Sequence, residues 1–466
     1  MKPVIELAGK KVLVVGLART GIATALFCSE RGAHVTATEA RPEREIAEAA
    51  AKLRAAGVTL ELGEHRAETF AEQDLIVPSP GVPPTMGALA AARAIGVPVW
   101  SEIELAWRFL RGRLICITGS NGKTTTTSLI GHILETAGLP VQVAGNIGTP
   151  LISRVDISSD ASFTVVEASS FQLEYISAFR PNIAVLLNVT PDHLDRHGSI
   201  EAYAAAKARM FQNQSPEDAA IINADDAVAQ QYAPTGPRVF WFSREKRVAS
   251  GCYLRGDEIV FRCDGTETVL LERQAIGLRG SHNVENVLAA AAAARLAGVE
   301  PSAIAEGVRT FAGVEHRIEY VATISGVDYF NDSKATNVDA TLKALDAFPG
   351  NVLVILGGKD KGSDYKILRQ SLRSRARMAL LIGSSADKIE ADLAGTVPVE
   401  RSETLARAVQ AAAQRALPGD TVLLAPACAS FDQFESYEHR GRVFKQLVLK
   451  LEKKQAAQGA ARKVSS

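Results

Sequence analysis

Short apolar runs, several of them closed by glycine, alternate along most of the chain with longer stretches whose apolar residues recur at helical spacing. That alternation predicts an α/β protein with largely parallel sheets. Residues 11–16 form an apolar run ending at Gly16; a turn over 17–21 and a helix-compatible stretch then lead to a second run over 34–39. Residues 74–81 read as a strand entering a Pro/Gly turn, and 99–113 leads out of this first, Rossmann-like segment. The second segment opens with a strand over 114–118, a loop over 119–124 and a helix from about 125 to 137. Strands over 163–167, 183–188 and 219–223 follow, alternating with helices. From 239 to 278 the pattern turns strand-rich, with turns at Arg255-Gly-Asp257 and Asp264-Gly-Thr266, so a small antiparallel element is expected to flank the sheet. The alanine-rich run 283–297 predicts a closely packed helix. From near Val314, strands over 327–330, 351–356, 378–382 and 421–425 predict a second Rossmann-like unit. The last stretch, 453–466, is small, polar and charged, and reads as a frayed tail.

Length fits this division. At about 150 residues per domain, 466 residues suggest three domains, and 47% hydrophobic content suffices for a core in each. The expected boundaries are 1–110, a central P-loop domain over 111–313, a C-terminal domain over 314–452 and a flexible tail over 453–466. Lys plus Arg (52) equals Asp plus Glu (52), so net charge supplies no reason to bind nucleic acid or an anionic membrane. No apolar run approaches the roughly 18 residues of a membrane span, and residues 1–6 carry no signal-like apolar core. A cytoplasmic protein without membrane insertion is expected. The five cysteines are scattered and never form a CxxC pair, which disfavours both a disulfide framework and structural zinc.

The strongest chemical signal is Thr118-Gly119-Ser120-Asn121-Gly122-Lys123-Thr124-Thr125 between a strand and a helix. Such a loop points backbone N–H groups and a helix N-terminus at phosphate, with Lys123 reaching terminal phosphates and the Thr124 hydroxyl available to Mg²⁺. The general GxxxxGK[ST] spacing requires glycine at 117, where the chain has Ile117, so the loop belongs to a subclass. In the first segment the glycines read Gly16-x-Ala18-x-x-Gly21, with Glu39 ending the next strand. The missing middle glycine argues against a dinucleotide and leaves another nucleotide, a nucleotide-sugar or an unliganded scaffold open. Glu167, at the carboxyl end of a strand, suits Mg²⁺ or is simply a solvated strand-end carboxylate.

Taken in order, the TGxNGKT loop, Gly145-Asn-Ile-Gly148, Glu167-Ala-Ser-Ser-Phe-Gln172, Asn188-Val-Thr-Pro-Asp-His193, Asn331-Asp-Ser-Lys-Ala-Thr-Asn337 and Ala425-Pro-Ala-Cys-Ala-Ser-Phe-Asp-Gln433 resemble the Mur ligases of peptidoglycan synthesis. The resemblance runs from Val14 to about Val443. The DSKATN and PACASFDQF motifs resemble the branch that adds D-glutamate to UDP-N-acetylmuramoyl-L-alanine. ATP, Mg²⁺ and those two small molecules are then the implied cofactors and partners, and a monomer is expected. Such chemistry has a physical logic. A carboxylate does not form an amide at neutral pH because oxide is a poor leaving group, so ATP must first convert it to an acyl phosphate that an amine attacks.

The resemblance assigns Gly119, Ser120, Asn121, Gly122, Lys123, Thr124 and Thr125 to the ATP phosphates, and Thr124, Glu167, His193 and Lys207 to metal. Lys207 sits where the family carries a carbamylated lysine, a modification that requires a neutral amine first. Asn283 and Asn286 resemble residues near adenine, a helix cap being the competing reading for one of them. Arg317 is implied for the γ-phosphate and Asp332 for the ribose, which would require the third domain to close. For D-glutamate the implied residues are Lys334, Thr336, Lys361, Ser430, the Phe431 backbone and Tyr437. Arg19, Thr20 and Arg41 would meet the UDP moiety, and Asn146 the sugar or peptide end. Arg19 departs from the small or aliphatic residue usual there, as does Ala40 from a hydroxyl. Lys123, Lys207, His193 and Lys334 are expected at the reaction itself. The rivals are another Mur ligase or a folate polyglutamylating ligase, with a different acceptor and amino acid, and a P-loop ATPase or nucleotide-binding regulator whose outer domains transmit conformation without forming a bond.

Overall fold

The computed structural model describes residues 5–146, 148–278 and 280–464; Ile147 of the Gly145–Gly148 motif lies outside them. The protein is α/β, with three sheets among the described residues. The first contains β1 (Lys11–Val15), β2 (His34–Glu39), β3 (Thr59–Leu62) and β4 (Leu75–Pro78) in the order β3-β2-β1-β4, with every pairing parallel. Val12 to Val15 are fully buried, as a strand covered on both faces requires.

The second sheet contains β5 (Arg113–Thr118), β6 (Val141–Gly145), β7 (Phe163–Glu167), β8 (Ile183–Leu186), β9 (Ala219–Asn223), β10 (Arg238–Ser243), β11 (Gly251–Arg255), β12 (Glu258–Cys263) and β13 (Thr266–Glu272). Their order is β13-β12-β11-β10-β9-β8-β5-β7-β6. The antiparallel element does not stand apart from the sheet. β11 pairs with β10 in parallel and carries β12 and β13 as an antiparallel extension of the same sheet. A Cβ on Gly251 would lie 1.8 Å from the Trp241 carbonyl, so the strand can join there only through glycine.

The third sheet contains β14 (Glu319–Ile324), β15 (Val327–Asn331), β16 (Val352–Gly357), β17 (Ala376–Ile382), β18 (Val399–Glu403) and β19 (Thr421–Leu424) in the order β14-β15-β19-β16-β17-β18. Only the β14–β15 pairing is antiparallel. The last strand in the chain lies between β15 and β16, so loops far apart in sequence emerge side by side at one sheet edge.

The chain divides into two compact units, Met1–Ile276 with Glu285–Phe311 and Gly277–Val284 with Ala312–Ser466. The first holds two sheets because one apolar cluster runs from Leu7 to Ala229 through both. Helix Glu102–Phe109 joins them, burying Ile103, Leu105, Ala106 and Trp107. Its Glu104 carboxylate accepts the Ser177, Ala178 and Phe179 N–H groups at 2.9, 3.1 and 2.7 Å and pairs with Arg108 at 2.7 Å. In the second unit, apolar clusters cover the two faces of the third sheet. Helix Tyr437–Val464 continues through most of the stretch expected as a tail, whose Ala, Gln, Lys and Arg residues are good helix formers.

Candidate active site

β5 brings the chain to the carboxyl edge of the second sheet between β8 and β7. Ile117 is a fully buried residue of that strand, paired with Glu167 and Val185. The strand therefore extends where the general P-loop would already have turned at glycine. Gly122 (φ +84°) caps helix Lys123–Thr136 in the left-handed region, and a Cβ there would lie 2.3 Å from Asn286 Oδ1. Asn188 shapes the loop by accepting the Ser120 N–H on its carbonyl (2.9 Å) and the Asn121 N–H on its side chain (2.8 Å). Ser120 Oγ donates to the Thr190 carbonyl at 3.0 Å. Lys123 Nζ donates to the Gly119 and Ser120 carbonyls at 2.8 and 2.9 Å, so its ammonium lies against the loop that would cradle phosphate. Thr125 is buried in the first turn.

Glu167 ends β7, 2% exposed, and accepts from Thr124 Oγ1 (2.9 Å) and Asn146 Nδ2 (2.9 Å). A threonine hydroxyl beside a buried carboxylate is an oxygen donor set that fits Mg²⁺. Lys207, on helix Ile200–Ala208, is 1% exposed and donates to the Gly119 carbonyl at 2.9 Å. Its Nζ lies 4.1 Å over the Tyr203 ring. Burial, then the neighbouring Lys123 ammonium, pushes the Lys207 amine well below the ordinary lysine range. The structure thus brings Lys123, Thr124, Glu167, Asn146 and Lys207 together.

His193 is exposed in the left-handed region (φ +52°), edge-on to Phe171 at 4.9 Å and 3.6 Å from the Asp192 carboxylate. Four residues on, the turn Leu194–His197 is fastened to the turn Ser170–Leu173 that follows Glu167. His197 Nε2 meets Ser170 Oγ at 3.0 Å and its ring stacks on Phe171. Arg196 forks onto Glu174 (Nη2 2.6 Å) and donates to the Pro80 carbonyl of the first sheet's last loop at 3.0 Å. Asn283 and Asn286 are both buried. The helix starts at Ser281, so neither is its cap; Asn286 Oδ1 accepts from Thr126 Oγ1 at 3.3 Å.

In the second unit, the ends of β15, β19 and β16 release residues 332–336, 425–430 and 358–361. The Ala427 N–H donates to the Ala335 carbonyl (2.9 Å), and Lys359 and Ala429 form a two-way bridge (2.9 and 3.1 Å). Lys334 lies 5.3 Å over the Tyr437 ring, and Ser333 Oγ donates to the Tyr437 carbonyl. Ser430 is buried, while Phe431 is 67% exposed; Thr336 is half-buried and Lys361 exposed. Asp332 accepts the Ile318 N–H at 3.3 Å, and burial pushes its carboxyl up to about 7 against the pull of Arg317. Glu315, His316 and Glu319 present possible metal-ligand atoms within 4.8 Å of one another. Lys445 already bridges both carboxylates, which makes the group an ion-pair network.

Sequence reasoning missed Arg440. It is 1% exposed and donates from Nε to Ser333 Oγ (3.0 Å) and from Nη2 to the Ser333 and Cys428 carbonyls (2.8 and 3.2 Å). Its Nη1 lies 3.4 Å from the Ala429 carbonyl. Nothing in His439-Arg440-Gly441 marks it; only the packing does.

In the first sheet, Glu39 is not free for a ribose. It accepts the Leu17 N–H (2.7 Å), the Arg41 N–H (3.1 Å) and Arg41 Nη2 (3.0 Å). Burial alone would raise this carboxyl, but Arg41 and the two backbone donors outweigh it and lower it to about 2. Arg41 also donates to the Leu17 carbonyl at 3.3 Å, so it braces the loop it was expected to serve as a ligand contact. Arg19 is exposed and Thr20 half-buried at the start of helix Arg19–Glu30.

Comparison with known proteins matches three family models: "Mur ligase MurD-like, N-terminal domain" over 10–101, "Mur ligase middle domain" over 117–294, and "Mur ligase, glutamate ligase domain" over 316–428. Proteins named UDP-N-acetylmuramoylalanine--D-glutamate ligase are similar along almost the whole chain. The one from Acidobacterium capsulatum is 54% identical over 96% of this chain and 97% of its own. The one from Koribacter versatilis is 53% identical over 96% and 99%. Among solved structures, the MurF ligase of Thermotoga maritima in complex with ADP is similar with TM-score 0.61 at 17% identity, over 97% of this chain and 96% of its own. A pseudomurein peptide ligase type C from Methanothermus fervidus gives TM-score 0.60 at 18% identity, over 95% and 100%. At those identities the two structures support the fold.

Proposed function

The chain belongs to the Mur ligase family, and from that premise we propose that it is the ATP-dependent ligase joining D-glutamate to UDP-N-acetylmuramoyl-L-alanine through an acyl phosphate. The observation that carries this reading is 54% identity along 96% of the chain to a relative bearing that activity in its name. The site supports it chemically. The loop 119–125 holds the ATP phosphates, with Lys123 turning from the Gly119 and Ser120 carbonyls to the terminal phosphate. Thr124 and Glu167, with His193, would hold Mg²⁺, which supplies positive charge to the transferring phosphoryl group.

Lys207 carries a carbamate in this reading. A neutral amine attacks CO₂, forming the N–C bond and releasing a proton, and the buried, cation-flanked Lys207 has the lowered basicity that this requires. Asn283 and Asn286 serve the adenine, Arg317 the γ-phosphate and Asp332 the ribose. Lys334, Thr336, Lys361, Ser430, the Phe431 backbone and Tyr437 receive the amino acid, whose two carboxylates call for cations and fixed donors. Arg19, Thr20 and Arg41 contact the UDP group, and Asn146 the sugar or peptide end. The three domains in this reading are 1–110, 111–313 and 314–452, with Arg317 and Asp332 of the third serving the ATP and Asn146 of the second the sugar or peptide end, in a monomer acting in the cytoplasm.

The test is phosphate release with ATP, Mg²⁺ and UDP-N-acetylmuramoyl-L-alanine, with D-glutamate, L-glutamate or no amino acid. Release that requires D-glutamate, with a product heavier by one glutamyl residue, is expected. Release indifferent to every amino acid would make the protein an ATPase, and no release with this acceptor would point to another acceptor.

A further inference from the structure

Arg440 is an anomaly of charge. It heads the largest fully buried side chains of the described residues, yet its four hydrogen-bond acceptors, Ser333 Oγ and the carbonyls of Ser333, Cys428 and Ala429, are all neutral. Glu104, by contrast, is buried together with its counter-charge Arg108. Burying a cation without an anion is costly, and a chain that needed only a strut could have used an apolar residue.

Its partners show what it accomplishes. They lie in the two loops that end β15 and β19, and Gly358, at the end of β16, approaches so closely that a Cβ there would sit 3.2 Å from Arg440 Nη1. In a planar trans peptide the carbonyl of one residue and the N–H of the next point in opposite directions. The Ala429 carbonyl is aimed inward by Lys359 N–H and Arg440 together. The Ser430 N–H is thereby aimed away from Arg440, and among the described residues it has no hydrogen-bond partner. The same guanidinium grips Ser333, the residue before Lys334, whose ammonium lies over Tyr437.

We propose that Arg440 is the positioning residue of the amino-acid pocket: from beneath the sheet edge it fixes the Ser430 N–H and Lys334 for a substrate carboxylate and adds a positive charge behind them. This rests on the D-glutamate reading of the same loops. Among the described residues no carboxylate touches the guanidinium, Asp432 acting on it only from a distance, so an incoming carboxylate is drawn to the pocket, and the fork sets which stereoisomer can reach both donors.

The experiment measures KM for D-glutamate, ATP and UDP-N-acetylmuramoyl-L-alanine, and the D- to L-glutamate ratio, in Arg440→Lys and Arg440→Met. The KM for D-glutamate is expected to rise roughly ten- to a hundredfold, the range of one to two charge-assisted hydrogen bonds, with the other two KM values within about twofold. Lysine keeps the charge but cannot span both loops, so it should restore less than half of the loss while the stereochemical preference stays relaxed. A lowered melting temperature with an unchanged KM for D-glutamate would reduce Arg440 to a structural strut and overturn the inference. Should both variants fail to fold, Ser333→Ala removes one partner of the fork more gently. A rise confined to the KM for D-glutamate then supports the proposal, and an unchanged value overturns it. A wild-type enzyme indifferent to D-glutamate would overturn the parent reading as well, whereas a D-glutamate-dependent wild type with an unmoved variant overturns this inference alone.

Discussion

Lys207 and Glu102 are two residues at which burial has removed the water that an ionised side chain depends on, with opposite consequences. At Lys207 the result is chemical. An amine hydrogen-bonded to the Gly119 carbonyl, its basicity lowered by burial and by the Lys123 ammonium, gives up its proton for carbamylation more readily than an exposed lysine does. Lys207→Ala is expected to lower kcat at least about a hundredfold, with partial recovery in bicarbonate or other small anions. Full activity without them would remove the residue from the mechanism. At Glu102 the result is a penalty. One oxygen accepts the Ile152 N–H at 2.6 Å, the other has no partner, and burial raises the carboxyl to about 7. The folded state then holds a proton that the unfolded chain loses near 4.5, so stability falls as pH rises from about 4.5 to about 7 and levels off above. Glu102→Gln should flatten that decline, by on the order of 3 kcal/mol at most, when melting temperatures are compared at pH 5 and pH 8. Equal slopes in the two proteins would show that Glu102 titrates normally.

Individual elements differ in how far the sequence alone discloses them. Buried strands such as β5 and β16 are continuous apolar runs and are plain in the sequence, as is the phosphate loop, whose residues are consecutive. β3 and β18 are not, because they are short, half-exposed edge strands whose residues, Thr59–Leu62 and Val399–Glu403, carry little apolar pattern. The site follows the same rule. Glu167 is legible from its place at a strand end, but Arg440 depends on three loops from distant parts of the chain. Glu39 stands where a ribose carboxylate belongs, yet it is committed to Leu17 and Arg41 by a bend no spacing reveals. Helix Glu102–Phe109 is held by one carboxylate. Glu104→Ala would orphan three backbone N–H groups and leave Arg108, 8% exposed, without its partner. A loss of about 3–5 kcal/mol in denaturant unfolding is expected, and a loss below about 1 kcal/mol would show that water replaces the carboxylate.

For the whole molecule, two compact units with separate apolar clusters predict two calorimetric transitions, of which ADP with Mg²⁺ should raise the one belonging to the unit that carries the phosphate loop. A single transition under every condition would show that the units unfold as one. The strand order of the third sheet has a further consequence, for synthesis on the ribosome. β19 is the last strand made, and it fills the gap between β15 and β16. Until Thr421 has been translated and threaded into place, that sheet lacks its middle, and Lys334, Ser430 and Lys361 have no common edge to share. The nucleotide loop at 119–125 is by then some three hundred residues old and able to fold. Under the proposed function, full-length translation would therefore act as a checkpoint: an unfinished chain could hold nucleotide but would have nowhere to receive the amino acid that would let it be used.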